Sequence, residues 1–179
     1  MNNQIIATIL TGFVTITSLI ASNHFIRKKE DRTKRLQIKM EYISKQIEEF
    51  YGPLYSLIQQ IKNYRAVKKI ISSPGLPPHD EHRLVIFFRE EYVAPLNKEI
   101  SELIKTKFHL IEGKELPDSF ETYLLHASQL SAQIRLWKEL KMDTQSAKGT
   151  PAPPEFEADV KNTLTQLMKR YDNLLKELE

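Results

Sequence analysis

The chain has 179 residues, of which 41% are hydrophobic and 27% charged, and it contains no cysteine. This composition is too apolar and too evenly charged for a disordered chain. The lack of cysteine excludes disulfides, thiolate metal sites and a cysteine nucleophile. The five glycines lie far apart, which excludes a glycine-rich phosphate loop and a dinucleotide-binding fingerprint.

A stretch without permanently charged side chains covers residues 5–26. A helix of that length spans about 33 Å, enough for a hydrocarbon core of about 30 Å. Basic residues follow the stretch, whereas in a cleavable signal peptide they precede it. Residues 1–26 are therefore predicted to be a short tail and a transmembrane helix, with the N-terminus outside and the rest of the chain in the cytoplasm.

Small and hydroxylic side chains share one face of this predicted helix, at steps of 4, 4, 3 and 4: Ala7, Thr11, Thr15, Ser18 and Ser22. Such stripes let two helix backbones approach closely within a membrane. The stripe is thus a candidate surface for self-association or for a partner helix. In the alternative interpretation, the hydroxyl groups bond to carbonyl groups of their own helix.

A basic collar, residues 27–45, follows the span. It carries eight basic and three acidic residues, a net charge of +5, whereas residues 46–179 have a net charge of −2. This local charge argues against a nucleic-acid-binding surface and suits anionic lipid headgroups. The collar is either a topology signal or a site of specific lipid recognition. The side chains predicted to contact headgroups are Arg27, Lys28, Lys29, Arg32, Lys34 and Arg35.

A heptad seam opens the predicted bundle domain, residues 36–179. Its apolar residues recur at alternating steps of 4 and 3, which is typical of a helix that packs against other helices. The helix is predicted to end at the Pro- and Gly-rich residues 72–80. The seam packs either on the later helices or on its twin in a dimer. Its residues are Leu36, Met40, Ile43, Ile47, Phe50, Leu54, Leu57, Ile61 and Tyr64.

Three more helices follow from the apolar spacing: about 80–110, from after Pro117 to about 140, and 155–178. A linker-like loop covers residues 143–154. No alternating apolar and polar stretch is long enough for a strand. The predicted fold is all-α, with an N-terminal transmembrane helix followed by an antiparallel bundle of about four helices.

Two similar segments, EEFYGPLYSLI at 48–58 and EEYVAPLNKEI at 90–100, each place a proline inside a predicted helix. Proline removes a backbone donor and pushes against the carbonyl group four residues earlier, so kinks are expected at Pro53 and Pro95. If the first two helices form a hairpin around residues 72–79, the kinks lie about 27 and 23 Å from the turn and nearly side by side.

This juxtaposition predicts a polar notch that binds a cation, a basic peptide or another helix. In the alternative interpretation, the glutamates form a solvated face and the core residues are Phe50, Leu54, Tyr92 and Leu96. A shared kink would also serve as a hinge. The candidate notch residues are Glu49, Tyr51, Pro53, Tyr55, Glu91, Tyr92 and Pro95.

The span, the collar, EEFYGPLYSLI and the stretch HLIEGKELPDSFETYLLHASQL at 109–130 resemble a group of uncharacterised bacterial single-span membrane proteins. These proteins carry a Glu-Phe-Tyr-x-Pro-Leu stretch on a helix. The resemblance covers residues 5–140. It implies a protein of the bacterial inner membrane and brings no catalytic residues.

Catalytic motifs are missing from the sequence. It contains no nucleophile elbow, no zinc-protease helix and no Walker lysine. His79 and His82 flank Asp80 and Glu81, a spacing that suits two metal ligands, but acidic residues at a loop-to-helix junction are ordinary capping residues. No catalytic residue, metal or cofactor is therefore predicted.

These features favour a non-enzymatic, membrane-anchored interaction or scaffold module whose cytoplasmic bundle recruits a protein partner or self-associates. Two alternatives remain open. One is a bundle that senses a ligand at the level of the prolines. The other is a membrane-acting effector, such as a host-defence component, that oligomerises through its span. The expected partners are the membrane and a protein or a second copy, with no nucleic acid.

Overall fold

The computed structural model describes residues 2–71, 77–113, 115–140 and 152–178, with the side chains of these ranges except those of 2–21, 78 and 79. The described residues are all-helical and contain no strand. The helices are α1 (Asn2–Gln46), α2 (Gly52–Ile71), α3 (Pro78–Phe88), α4 (Ala94–Thr106), α5 (Asp118–Leu140) and α6 (Pro154–Leu178).

The chain divides into two compact units. The first combines Met1–Tyr42 with Tyr171–Glu179, and the second is Ile43–Arg170. In the first unit, Leu36 is buried and Arg32 lies 3.9 Å from the Glu177 carboxylate, an exposed pair that contributes little to stability. The second unit holds the main hydrophobic core.

Among the residues whose side chains are described, no helix is long and apolar enough to cross a membrane. Residues 5–21 of the predicted span lie outside that part of the chain. The side chains that follow are described, and Phe25 and Ile26 are exposed directly before the basic collar. The transmembrane helix therefore stays a prediction.

The predicted helices are found, but the second one ends earlier than expected. The α-helix stops at Thr106 instead of about 110, because Lys107 leaves helical geometry at φ −110°. A 3₁₀ turn, Phe108–Leu110, and an extended Ile111 follow. Leu110 and Ile111 thereby enter the core, so tertiary burial outweighs continuation of the helix. Of the predicted 143–154 loop, residues 143–151 lie outside the described part, and Pro154 is the first residue of α6.

The core of the second unit is centred on aromatic rings. Phe120 lies 4.9 Å from Phe156 and 6.4 Å from Phe50, measured between ring centroids. Tyr123 stacks on Phe156 at 4.1 Å. From Ile43 onward the heptad seam packs in this core of its own chain, which favours the interpretation that its partners are the later helices.

A π-helical turn precedes each of the two prolines. The first π-turn is Ile47–Tyr51 and the second is Arg89–Val93. In each turn the helix widens by one residue: Gly52 donates to the Ile47 carbonyl and Ala94 to the Arg89 carbonyl. Because proline cannot donate and crowds the preceding turn, this widening accommodates Pro53 and Pro95 without ending the helix.

Gly52→Ala should destabilise the protein by about 1–3 kcal/mol, although alanine is the better helix former. A Cβ atom at Gly52 would lie 2.7 Å from the Ile47 carbonyl oxygen, which belongs to the backbone and cannot rotate away. Urea unfolding followed by circular dichroism measures the change. The matched control is Ala94→Gly at the same place in the second π-turn, which should cost about 1 kcal/mol from helix propensity alone. A stabilising Gly52→Ala would contradict the close approach.

Candidate functional site

Helix α2 packs against α3 and α4 as a helical hairpin, and two contacts between its arms show the register. Lys107 Nζ lies 2.6 Å from Glu49 Oε2, and the rings of Tyr64 and Tyr92 lie 4.5 Å apart. Glu49 and Tyr64 are 15 residues apart, and so are Tyr92 and Lys107, so the two contacts define one antiparallel register.

This register does not bring the two prolines to one level. Pro53 lies level with Leu103, whereas Pro95 lies level with Ile61. At 1.5 Å per residue the prolines are offset by about 12 Å along the helices, instead of the expected 4 Å. The physical reason is that the hairpin is staggered: α3 starts at Pro78, about two turns beyond the level at which α2 ends.

The candidate notch residues therefore separate into different environments. Glu49 pairs with Lys107, and this contact holds the pKa of the Glu49 carboxyl below its usual value. Tyr51 is buried, and its hydroxyl accepts a hydrogen bond from the Glu112 backbone N–H at 2.9 Å. Tyr92 packs on Tyr64. Of the remaining four, Tyr55 is half-buried against the core, and the others are exposed: Pro53, Glu91 and Pro95.

A groove of about 490 Å³ opens instead between α2 and α4. On each helix its lining residues follow the spacing i, i+3, i+4, i+7, which is one helix face. Leu57 and Leu103 are half-buried and pack against the core, while the other lining residues are exposed. The α2 wall consists of Pro53, Ser56, Leu57 and Gln60, and the α4 wall of Glu99, Glu102, Leu103 and Thr106.

The charged groups that line the groove are hydrogen-bond acceptors. Glu99 and Glu102 supply two carboxylates, and Lys105 forms an exposed ion pair with Glu102 at 3.2 Å. An apolar floor with acceptors along one side suits a segment that brings apolar side chains and a positively charged donor.

Sequence reasoning selected Pro53 but missed the other lining residues. Ser56 and Gln60 are polar residues on the exposed face of an amphipathic helix, and they carry no signal before a neighbour is known. Leu57 was assigned to the heptad seam, and Leu103 was not singled out. The groove exists because α4 packs beside α2, which a local pattern does not encode.

Comparison of the chain with protein-family models, curated proteins and solved structures finds no match. The chemistry of its surfaces is therefore argued from its own residues. Among the described residues, no group of three or more histidine and acidic side chains is placed to hold a metal ion. The side chain of His79 lies outside the described part, and His82 is half-buried.

The predicted membrane-facing residues divide between described and undescribed parts of the chain. In the small-residue stripe, Ala7, Thr11, Thr15 and Ser18 lie outside the described side chains, and Ser22 is exposed. In the collar, the side chains predicted to contact headgroups are all exposed. These are Arg27, Lys28, Lys29, Arg32, Lys34 and Arg35.

Within the second unit, a cluster of hydrogen-bonded polar side chains connects the end of α1 to α6. Gln46, which is 1% exposed, donates through Nε2 to the Leu110 carbonyl at 3.0 Å and to Glu112 Oε2 at 3.2 Å. The other carboxylate oxygen of Glu112 accepts from Arg170. The hydrogen bond from Arg170 is the main cause that holds the pKa of the Glu112 carboxyl below its usual value, and the hydrogen bond from Gln46 acts in the same direction.

Glu112→Gln should make stability less sensitive to acid. A carboxyl whose pKa is lowered in the folded state contributes stability above its unfolded pKa, about 4.3, and loses it as the pH falls through the folded value. The wild-type protein should therefore lose stability more steeply below about pH 4.5 than Glu112→Gln. Urea midpoints between pH 3 and 7 measure the slopes. The control is Glu121→Gln, an exposed position on α5; identical slopes for Glu112→Gln and the wild type would contradict the role of the cluster.

Proposed function

We propose that this chain is a non-enzymatic, membrane-anchored interaction module that binds a protein partner in the groove between α2 and α4. The observation that carries the proposal is the groove itself, with half-buried Leu57 and Leu103 at its floor and the carboxylates of Glu99 and Glu102 on one wall. Peptide-binding grooves combine an apolar floor with a few polar groups that orient the partner.

The anchor is supported by the sequence and by the exposed collar. Residues 5–26 carry no permanently charged side chain, and exposed basic residues follow them. In this proposal the span holds the bundle at the bacterial inner membrane, with the N-terminus outside and the bundle in the cytoplasm. Kinks are expected at Pro53 and Pro95, and Pro53 lines the proposed binding groove.

Orientation is tested by single-cysteine accessibility, which is straightforward because the chain has no cysteine of its own. Asn3→Cys should react in intact cells with a thiol reagent that does not cross membranes. Asn63→Cys, on an exposed part of α2, should react only after lysis. The reverse pattern would overturn the orientation, and reaction of both positions in intact cells would overturn the span.

Partner binding is tested by filling the groove. Ser56 is exposed and lines the groove, so Ser56→Arg should block the partner without disturbing the fold. The matched control is Ser131→Arg on the exposed face of α5. Proteins crosslinked to the membrane-embedded chain are recovered and compared by quantitative mass spectrometry. We expect a partner that the wild type and Ser131→Arg recover equally and that Ser56→Arg recovers at least tenfold less. Identical recovery by all three would contradict binding in the groove.

A further inference from the structure

We infer that the partner segment is a basic amphipathic helix that lies lengthwise along the hairpin, from the groove to the exposed end of α2. The inference rests on the proposed function and adds the chemistry and length of the partner. It is argued from the outer stripe, which is the face of α2 formed by Pro53, Ser56, Gln60, Val67 and Ile71.

The outer stripe continues the groove without changing face. Its members follow one another at steps of 3, 4, 7 and 4, which keeps them on one side of an α-helix. The first three line the groove, and Val67 and Ile71 extend the same face toward the end of α2. From Pro53 to Ile71 the stripe is about 27 Å long, the length of a helix of about 18 residues.

The distal half of the outer stripe is apolar and open to solvent. Val67 is 43% exposed and Ile71 is 48% exposed, and the neighbouring Ile70 is 78% exposed. On the facing helix, Phe87 is 49% exposed, and the register set by Tyr64 and Tyr92 places it near the level of Ile70. Large exposed side chains grouped in this way are typical of a contact surface.

Charge identifies the class of helix that fits. Glu99 and Glu102 stand on the α4 wall, and no basic residue lines the groove in the described part of the chain. The α2 stripe itself carries no charged residue, but Lys68 and Lys69 stand beside its far end, so the basic residues of the partner belong at the groove end, opposite the two carboxylates. A partner helix with one apolar stripe, flanked by lysine or arginine on the side that faces α4, therefore satisfies both walls. An acidic helix would place like charges together, and a lipid surface would meet the two carboxylates.

The test maps the partner from two points on the stripe. A photo-crosslinking amino acid is introduced at Ser56 or at Val67 of the full-length chain in cells, with Ser131 as the control position, and the crosslinked residues of the partner are located by mass spectrometry. Ser56 and Val67 are 11 residues apart. We expect both to crosslink to one segment of one protein, at residues about 11 apart on the same helical face, in a stretch rich in lysine and arginine. Ser131 should not crosslink to that segment.

Charge reversal gives the second readout. In isolated membranes, Glu99→Lys should lower crosslinking from Val67 about fivefold at low salt, and less at high salt, because the contact is an exposed charge pair. Glu121→Lys, on the exposed face of α5, should leave it unchanged.

Each negative outcome has its own meaning. Crosslinking from Ser56 but not from Val67 overturns the lengthwise helix and leaves binding in the groove intact. A crosslinked segment that is acidic, uncharged, or part of a second copy of this chain also overturns the inference. Crosslinking from neither position overturns the proposed function together with the inference.

Discussion

Replacing Phe120 with alanine should lower the free energy of unfolding by about 3–5 kcal/mol. Phe120 is 1% exposed, and its ring contacts Phe156 on α6 and lies beside Phe50 in the first π-turn. Truncation removes a ring that three helical segments share, and the surrounding backbone cannot close the cavity. Thermal unfolding of the full chain, followed by near-ultraviolet circular dichroism, should show a melting temperature lower by roughly 10 °C.

The control for Phe120→Ala is Leu125→Ala on the same helix. Leu125 is 53% exposed, so its truncation should change stability by no more than about 0.5 kcal/mol. Equal effects of the two substitutions would mean that the aromatic cluster does not form the core of the bundle.

Replacing Asn97 with aspartate should destabilise the protein by about 3 kcal/mol at neutral pH and much less in acid. Asn97 is 3% exposed, and its Oδ1 accepts a hydrogen bond from the Tyr123 hydroxyl at 2.6 Å. Its Nδ2 has no partner among the described residues. A carboxylate there would be buried with one donor, in surroundings where burial already raises the pKa of the Tyr123 hydroxyl.

The pH dependence gives the sign of this effect. Burial raises the folded pKa of the new carboxyl above its unfolded value of about 3.9, so stability is retained below that value and lost as the pH rises through the folded pKa. Urea midpoints of Asn97→Asp should therefore approach those of the wild type as the pH falls toward 4. Asn63→Asp, at an exposed position on α2, should show no such trend. A midpoint for Asn97→Asp that does not depend on pH would show that the site is accessible to water.

Local patterns were sufficient to predict the helices and the places where the helix must adapt. The apolar spacing predicted α5 and α6 within a residue or two of their observed ends, because the helical period is a property of neighbouring residues. The prolines at 53 and 95 were predicted to disturb their helices, and a π-turn precedes each one. The type of disturbance was not predicted, since it depends on how the helix is held by its neighbours.

The position of the groove was decided by tertiary structure. The sequence predicted a notch where the two prolines meet, but the hairpin is staggered, as the contact between Glu49 and Lys107 shows; these two residues are 58 apart in the chain. Such contacts depend on side-chain packing between helices, and no local period encodes them. The buried Asn97 could not be recognised either, because an asparagine on a helix is usually exposed.

By itself, then, the sequence determined that this chain is helical, where its helices lie, and that its basic charge is concentrated in residues 27–45, because composition, period and charge are local properties. The tertiary structure decided which helix faces meet: it joined Leu57 to Leu103 in one groove, paired Asn97 with Tyr123, and left Val67 and Ile71 open to solvent. These outcomes depend on the register between helices, which is set by packing between residues distant in the chain.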